Sequence, residues 1–259
     1  MSREQVLKWL TETGFPLEMA AASAMRQAGF EVRQSATYVD AQSEKGREID
    51  VLARDPDLIG FIELSVVMEC KSSSKPWVVL TADDVLQAYN RLRSCGVLSG
   101  DTIAALARDG KIKERKIAQY LHWSERCGYG FRQAFSKDAD PGYGAAMNVV
   151  SACNGIISAL PAPDAWPTLA ASIPIIVVDS PLFECELRPD GELELTEVDE
   201  SAFLFSAHLP KQTSSVVRVI HRSKLEATAK WAKSLVDALR EDLKPEEDKF
   251  FADKSKAQQ

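Results

Sequence analysis

Asp50, Glu69 and Lys71 are the residues of this 259-residue chain whose types and spacing could do chemistry. Glu69 and Lys71 close an apolar run, "FIELSVVMECK", from Phe61 to Lys71. Alternate side chains of a strand share a face. Glu63, Ser65, Val67, Glu69 and Lys71 therefore point one way, and Ile62, Leu64, Val66, Met68 and Cys70 the other. Asp50 lies in the preceding run, "REIDVLARD", Arg47 to Asp55, where Ile49, Val51 and Ala53 alternate with Asp50, Leu52 and Arg54. Asp55-Pro56-Asp57 is a turn signal, so the two runs are expected to pair as an antiparallel hairpin. A turn centred near Ile59-Gly60 sets residue i opposite 119 minus i, which brings Asp50 opposite Glu69.

Two carboxylates in such a pair repel, and burial raises the cost of keeping both charged. A divalent cation resolves the conflict, and hard oxygen ligands suit Mg²⁺ or Mn²⁺ better than zinc. Such an ion polarises a phosphoryl oxygen and lowers the pKa of a bound water. Lys71, on the same strand face, is placed to orient or deprotonate that water, or to neutralise charge developing on a phosphate. The plainer reading of Glu69 and Lys71 is a strand-end ion pair, and that of Asp50 a solvent-facing strand residue.

The elements that must hold these groups are legible around them. "GFPLEMAAASAMRQA", Gly14 to Ala28, is expected to be a helix, with Pro16 in its first turn and Gly29 ending it. Phe30 to Val39 reads as a strand. A helix is expected from Thr81 to about Arg93, others over Lys111–Trp123 and Gly144–Leu160, and an amphipathic one over Ser223–Leu243. Ile173–Leu187 is expected to be one buried strand kinked at Ser180-Pro181, followed by short strands over Glu192–Glu197 and Ser201–His208 and a last one through "SVVRVIHR". The Gly128–Phe131 and Gly142–Gly144 stretches read as a loop between helices, either a lid or a surface connection. This is an α/β pattern: a mixed central sheet flanked by helices, in one domain over residues 1–243, with a charged tail over 244–259 expected to fray.

The arrangement resembles the PD-(D/E)xK nuclease superfamily, with its restriction-endonuclease-like fold. The match is Asp50 in "REID" and Glu69-Cys70-Lys71 in "ECK", preceded by a helix and a strand; it covers about residues 14–93, with C-terminal additions over 94–243. Isoleucine, not proline, precedes Asp50 here. The resemblance implies metal-dependent phosphodiester hydrolysis, with Asp50 and Glu69 as metal ligands, Cys70 offering its backbone carbonyl and Lys71 as catalytic lysine. It also implies a helix glutamate, for which Glu18 is the candidate, and a glutamine or tyrosine after the lysine strand, for which Gln87 and Tyr89 are candidates. Ordinary helix packing competes for Gln87 and Tyr89, and a first-turn charge for Glu18. Ser73, in the serine run after the strand, could donate its hydroxyl to a phosphate. Ser72–Lys75 fits an S-x-x-K pattern, but the companion S-D-N and K-T-G motifs are absent.

Composition bounds the remainder. The five cysteines and three histidines are scattered without C-x-x-C, which argues for reduced thiols, no zinc site and a cytoplasmic setting. No long apolar run predicts a membrane span, and no phosphate-binding glycine motif is present. The net charge of −7 opposes strong non-specific binding to nucleic acid. Residues 91–137, however, carry ten basic against four acidic side chains, a local excess expected either to track a phosphate backbone or to form a solvated face. The expected activity is a divalent-metal-dependent nuclease acting on DNA, and the acidic total charge implies either weak intrinsic DNA affinity or help from a partner protein or a second subunit. The alternative is a catalytically inactive nucleic-acid-binding or partner-binding module on the same fold.

Overall fold

A computed structural model of the chain describes residues 2–40, 44–57, 61–137, 140–160, 167–209 and 211–257. In chain order the elements are α1 (Arg3–Thr11), α2 (Phe15–Gln27), β1 (Glu31–Val39), β2 (Gly46–Arg54), β3 (Ile62–Lys71), β4 (Trp77–Ala82), β5 (Val97–Leu98), α3 (Gly100–Ala107), β6 (Cys127–Gln133), α4 (Pro141–Ser158), β7 (Leu169–Val178), β8 (Leu182–Leu187), β9 (Leu193–Val198), β10 (Glu200–Leu209), β11 (Lys211–His221) and α5 (Leu225–Ala257). The architecture is α/β. One mixed sheet has the strand order β1-β2-β3-β7-β11-β10-β6-β4-β8-β9, and β5 pairs separately with β7.

Two apolar layers follow from the alternation of the central strands. Val66, Met68 and Cys70 of β3, with Ile175 and Val177 of β7, pack against α2 and α5. Val67, Ile176, Val178, Val217 and Val219 pack against α4 on the other face. β7 is buried at every position, as a strand covered by helices on both faces requires. Helix α2 ends as its sequence predicts. Gly29 adopts φ +94, and bonds from Phe30 N to Met25 O (3.2 Å) and from Gly29 N to Arg26 O (3.0 Å) close a Schellman turn.

The hairpin register follows 119 minus i: Arg54 pairs with Ser65, Ala53 with Val66, Leu52 with Val67 and Val51 with Met68. Its expected turn near Ile59-Gly60 lies outside the described residues.

Several expectations fail for non-local reasons. The motif-bearing strand β3 takes its second neighbour from β7, about a hundred residues on (Ser65 pairs with Ser172), so residues 14–93 do not complete their own sheet. The helix expected from Thr81 is the end of β4 followed by turns, with a short 3-10 helix over Arg91–Ser94. Trp77, Val79 and Thr81 alternate into the core while β4 pairs with β6 and β8, and that pairing outweighs local helix propensity. Residues 111–123 form two 3-10 turns in place of an α-helix. The Ile173–Leu187 run is split into β7 and β8, which lie on different parts of the sheet. The glycine-rich stretch around Tyr129 is strand β6, where Gly128 admits Val79 and Phe203 closer than any Cβ would allow. The segment expected to fray continues α5 through Pro245 to Ala257. Leu243 and Glu247 are buried on the helix face, and the Phe250 ring packs tilted against Phe61 with centroids 5.0 Å apart.

Candidate active site

Asp50 sits where β2 breaks its alternation. Ile49 joins the apolar layer under α4 and Val51 the layer under α2, although two residues of a regular strand would share a face. Ser35, which the β1 register sets opposite Asp50, adopts φ 51, and the ladder skips both residues. The ladder to β3 likewise stops at Val51, one residue short of Asp50. The irregularity frees the Asp50 carboxylate to cap β3, and its Oδ2 accepts the backbone N–H of Cys70 at 2.7 Å.

Glu69 is 6% exposed at the covered end of β3. Its Oε1 accepts from Lys71 Nζ at 2.7 Å and from the amide Nδ2 of Asn148, on α4, at 3.1 Å. The shared face inferred for Glu69 and Lys71 is thus present as a direct contact, the strand-end ion pair of the plainer reading. Burial pushes the Asp50 carboxyl up to about 6, the charge of Glu69 adds to the rise, and the Cys70 N–H holds it back. Glu18, in the first turn of α2, joins the same cluster. Its carboxyl is raised by partial burial, then by Glu48 and Glu69, and is drawn down by Lys71. The buried Cys70 thiol is raised by desolvation and then by Asp50, Glu18 and Glu69. Four carboxylates (Glu18, Glu48, Asp50 and Glu69) thus share one electrostatic environment, in which Lys71 is the cation that lowers both Asp50 and Glu18.

Among the described residues no three carboxylate, imidazole or thiol groups stand close enough to form a preassembled metal cage. Mg²⁺ does not require one: it commonly binds through one or two carboxylates and keeps several waters. The all-oxygen donor set and the raised Asp50 and Glu18 carboxyls fit a hard divalent cation. Asp50 and Glu69 would hold it, with Glu18 and the Cys70 carbonyl as further oxygen donors.

The remaining sequence candidates separate from this cluster. Gln87 and Tyr89 do not lie on a helix following the lysine strand. Gln87 is exposed in the turn after β4, and the Tyr89 hydroxyl donates to Arg93 O at 3.5 Å beside Leu86. Ser73 is held in the loop after Lys71: its Oγ accepts from Gln133 Nε2 at 2.9 Å and Lys75 N at 3.0 Å, while its N–H donates to Asp179 at 2.9 Å. The basic run over 91–137 is largely neutralised by acidic partners. Arg108 pairs with Glu246, Arg115 with Asp109, Lys116 with Glu241, Arg126 with Asp83 and Glu186, and Arg132 with Asp140.

Two contributors escaped the sequence reading. Glu48 stands two residues before Asp50, but its effect on Glu18 depends on how α2 packs. Asn148 lies 79 residues from Glu69 on α4, and no local signal marks it. Comparison of the chain with family models, with curated proteins and with solved structures gives no match.

Proposed function

We propose that the chain is a divalent-metal-dependent nuclease that hydrolyses phosphodiester bonds of DNA, on a restriction-endonuclease-like core. The observation that carries this reading is the Asp50 carboxylate, lifted out of the β-ladder and raised toward neutrality beside Glu69 and Glu18. A structural carboxylate would ordinarily be paired with a cation or left in water. This one caps a backbone N–H and faces further negative charge.

When bound, the metal supplies Lewis-acid polarisation of a phosphoryl oxygen and a more acidic water. The chain's own contribution is positional. The β-break fixes Asp50, Asn148 and Lys71 fix one oxygen of Glu69, and Lys71 sets its ammonium at the strand end, where it can stabilise charge on a phosphate. The test is a panel of linear, nicked, supercoiled and single-stranded DNA, with RNA, incubated with Mg²⁺ or Mn²⁺ beside Lys71→Ala. Metal-dependent cleavage by the wild type and its loss in the variant are expected. Equal cleavage by both pure proteins would refute the assignment.

A second reading, an inactive nucleic-acid-binding or partner-binding module, is favoured by the closed Glu69–Lys71 ion pair. It predicts that nucleic-acid binding occurs without metal binding and survives Lys71→Ala.

A further inference from the structure

The glycine–aromatic stretch that became β6 plays no part in the acidic cluster, yet its far end is tied to the loop that leaves Lys71. Gln133 Nε2 donates to Ser73 Oγ at 2.9 Å, Ala134 N to Pro76 O at 2.9 Å, and Lys75 Nζ to Phe135 O at 3.2 Å. These bonds hold Phe135 in an unusual state. Its φ is 58, a left-handed backbone that a bulky residue rarely adopts, and its ring is 79% exposed. An outlier of this kind persists when its surroundings over-determine it, and such outliers concentrate at functional sites.

Further aromatic surface lies along the same strand. Tyr129 of β6 and Tyr143 of α4 are 59% and 49% exposed. They flank a groove of about 360 Å³ whose wall includes Arg132, Phe205 and Ser206. Tyr143 sits edge-on to Phe205 at 5.6 Å, which fixes its ring. Gly142 lets α4 approach this strand, since a Cβ there would lie 2.1 Å from Phe131 O. Two cations belong to the same stretch: Lys75, whose ammonium donates to the Phe135 backbone carbonyl, and Arg132, whose exposed head also meets Asp140 at 3.0 Å.

We propose that Phe135, with Tyr129, Tyr143 and Arg132, forms a platform on which unpaired nucleobases stack, so that the strand presented to the acidic cluster is single-stranded. The occupant follows from chemistry. Exposed rings alternating with cations suit a flat π-face attached to a phosphate backbone, and such platforms tolerate any base. Ser73 and Lys75, the loop positions that hold the Gln133–Phe135 end, stand two and four positions after Lys71. Phe135 therefore lies on the order of 15–20 Å of chain reach from the site. The inference rests on the nucleic-acid reading proposed above and gives it a substrate class.

The test is fluorescence anisotropy of a labelled single-stranded oligonucleotide and of a blunt duplex, in EDTA so that no cleavage intervenes. Wild type, Phe135→Ala and Phe135→Trp are compared. Loss of one stacked base predicts single-strand binding weakened about 5- to 150-fold in Phe135→Ala. Phe135→Trp should stay within about twofold of wild type, and duplex binding should not change. The ring is exposed, so thermal melting of Phe135→Ala should match wild type. Unchanged single-strand affinity, an equal loss on duplex, or no single-strand binding by the wild type would overturn the inference. Self-association of the wild type that Phe135→Ala abolishes would also overturn it, by making the ring a contact between copies. A protein that binds single strands through Phe135 but cleaves nothing with Mg²⁺ or Mn²⁺ would retain the platform and remove the nuclease assignment. One that cleaves but binds independently of Phe135 would do the reverse.

Discussion

Replacing Asp50 by asparagine should make the folded protein more stable at neutral pH. The Asp50 carboxyl is raised from 3.8 to about 6, first by burial and then by the charge of Glu69. At 1.36 kcal/mol per pH unit the folded state disfavours the ionised form by about 3 kcal/mol. Solvent screening of a half-buried group reduces this to about 1–2 kcal/mol. The sign follows from linkage. Below the unfolded value of 3.8 both states hold the proton and nothing is lost. Between 3.8 and about 6 the unfolded state has released a proton that the folded state still holds, so stability falls as pH rises across that window and levels off above it. Asparagine keeps an oxygen for the Cys70 N–H and removes the titration. Urea unfolding followed by tryptophan fluorescence between pH 4 and 8 should therefore show Asp50→Asn about 1–2 kcal/mol more stable at the upper end, with convergence at the lower. The melting temperature should rise by about 2–4 °C per kcal/mol. A variant less stable at neutral pH, or one whose stability keeps the wild-type slope between pH 4 and 6, would refute the reasoning.

Lys71→Met should destabilise by about 1.5–3 kcal/mol in thermal or urea unfolding, because buried Glu69 loses its charged donor at 2.7 Å. Asn148→Asp should place a further carboxylate against Glu69 in exchange for the amide donor at 3.1 Å, costing more stability at pH 8 than at pH 5; equal loss at both pH values would count against the shared acidic environment. Arg240→Ala should cost about 1.5–3 kcal/mol in unfolding, since Asp55, with a side chain 3% exposed, loses the guanidinium that meets it at 2.5 Å but keeps Lys233 at 2.8 Å. That last change lies on α5 and should leave divalent-cation affinity intact.

The parts of the site legible in the sequence were those set by local geometry. Two alternating runs and the turn between them contain the 119-minus-i register, because a one-residue slip would set the α2-side residues Val51, Ala53, Val66 and Met68 against those of the opposite layer. Strand alternation alone brings Glu69 and Lys71 together. What was not legible depends on distant chain. That β7 lies beside β3 is decided by packing between α2 and α5 on one face and α4 on the other, and no local pattern encodes it. Thr81 carries a helix-cap signal, but β6 and β8 recruit its segment into the sheet. Asn148 is an ordinary helix residue until α4 is laid over Glu69. The break at Asp50 is intermediate: the carboxylate is legible in the sequence, but its release from the ladder depends on Ser35 of the neighbouring strand.

The central claim is that Asp50 and Glu69 hold a divalent cation. Calorimetric titration of Mn²⁺ into the wild type, Asp50→Ala and Glu69→Ala tests it without a substrate. Saturable binding by the wild type, lost or weakened at least about tenfold in both variants, is the predicted result. No binding by the wild type, or binding of equal strength in all three proteins, would contradict it.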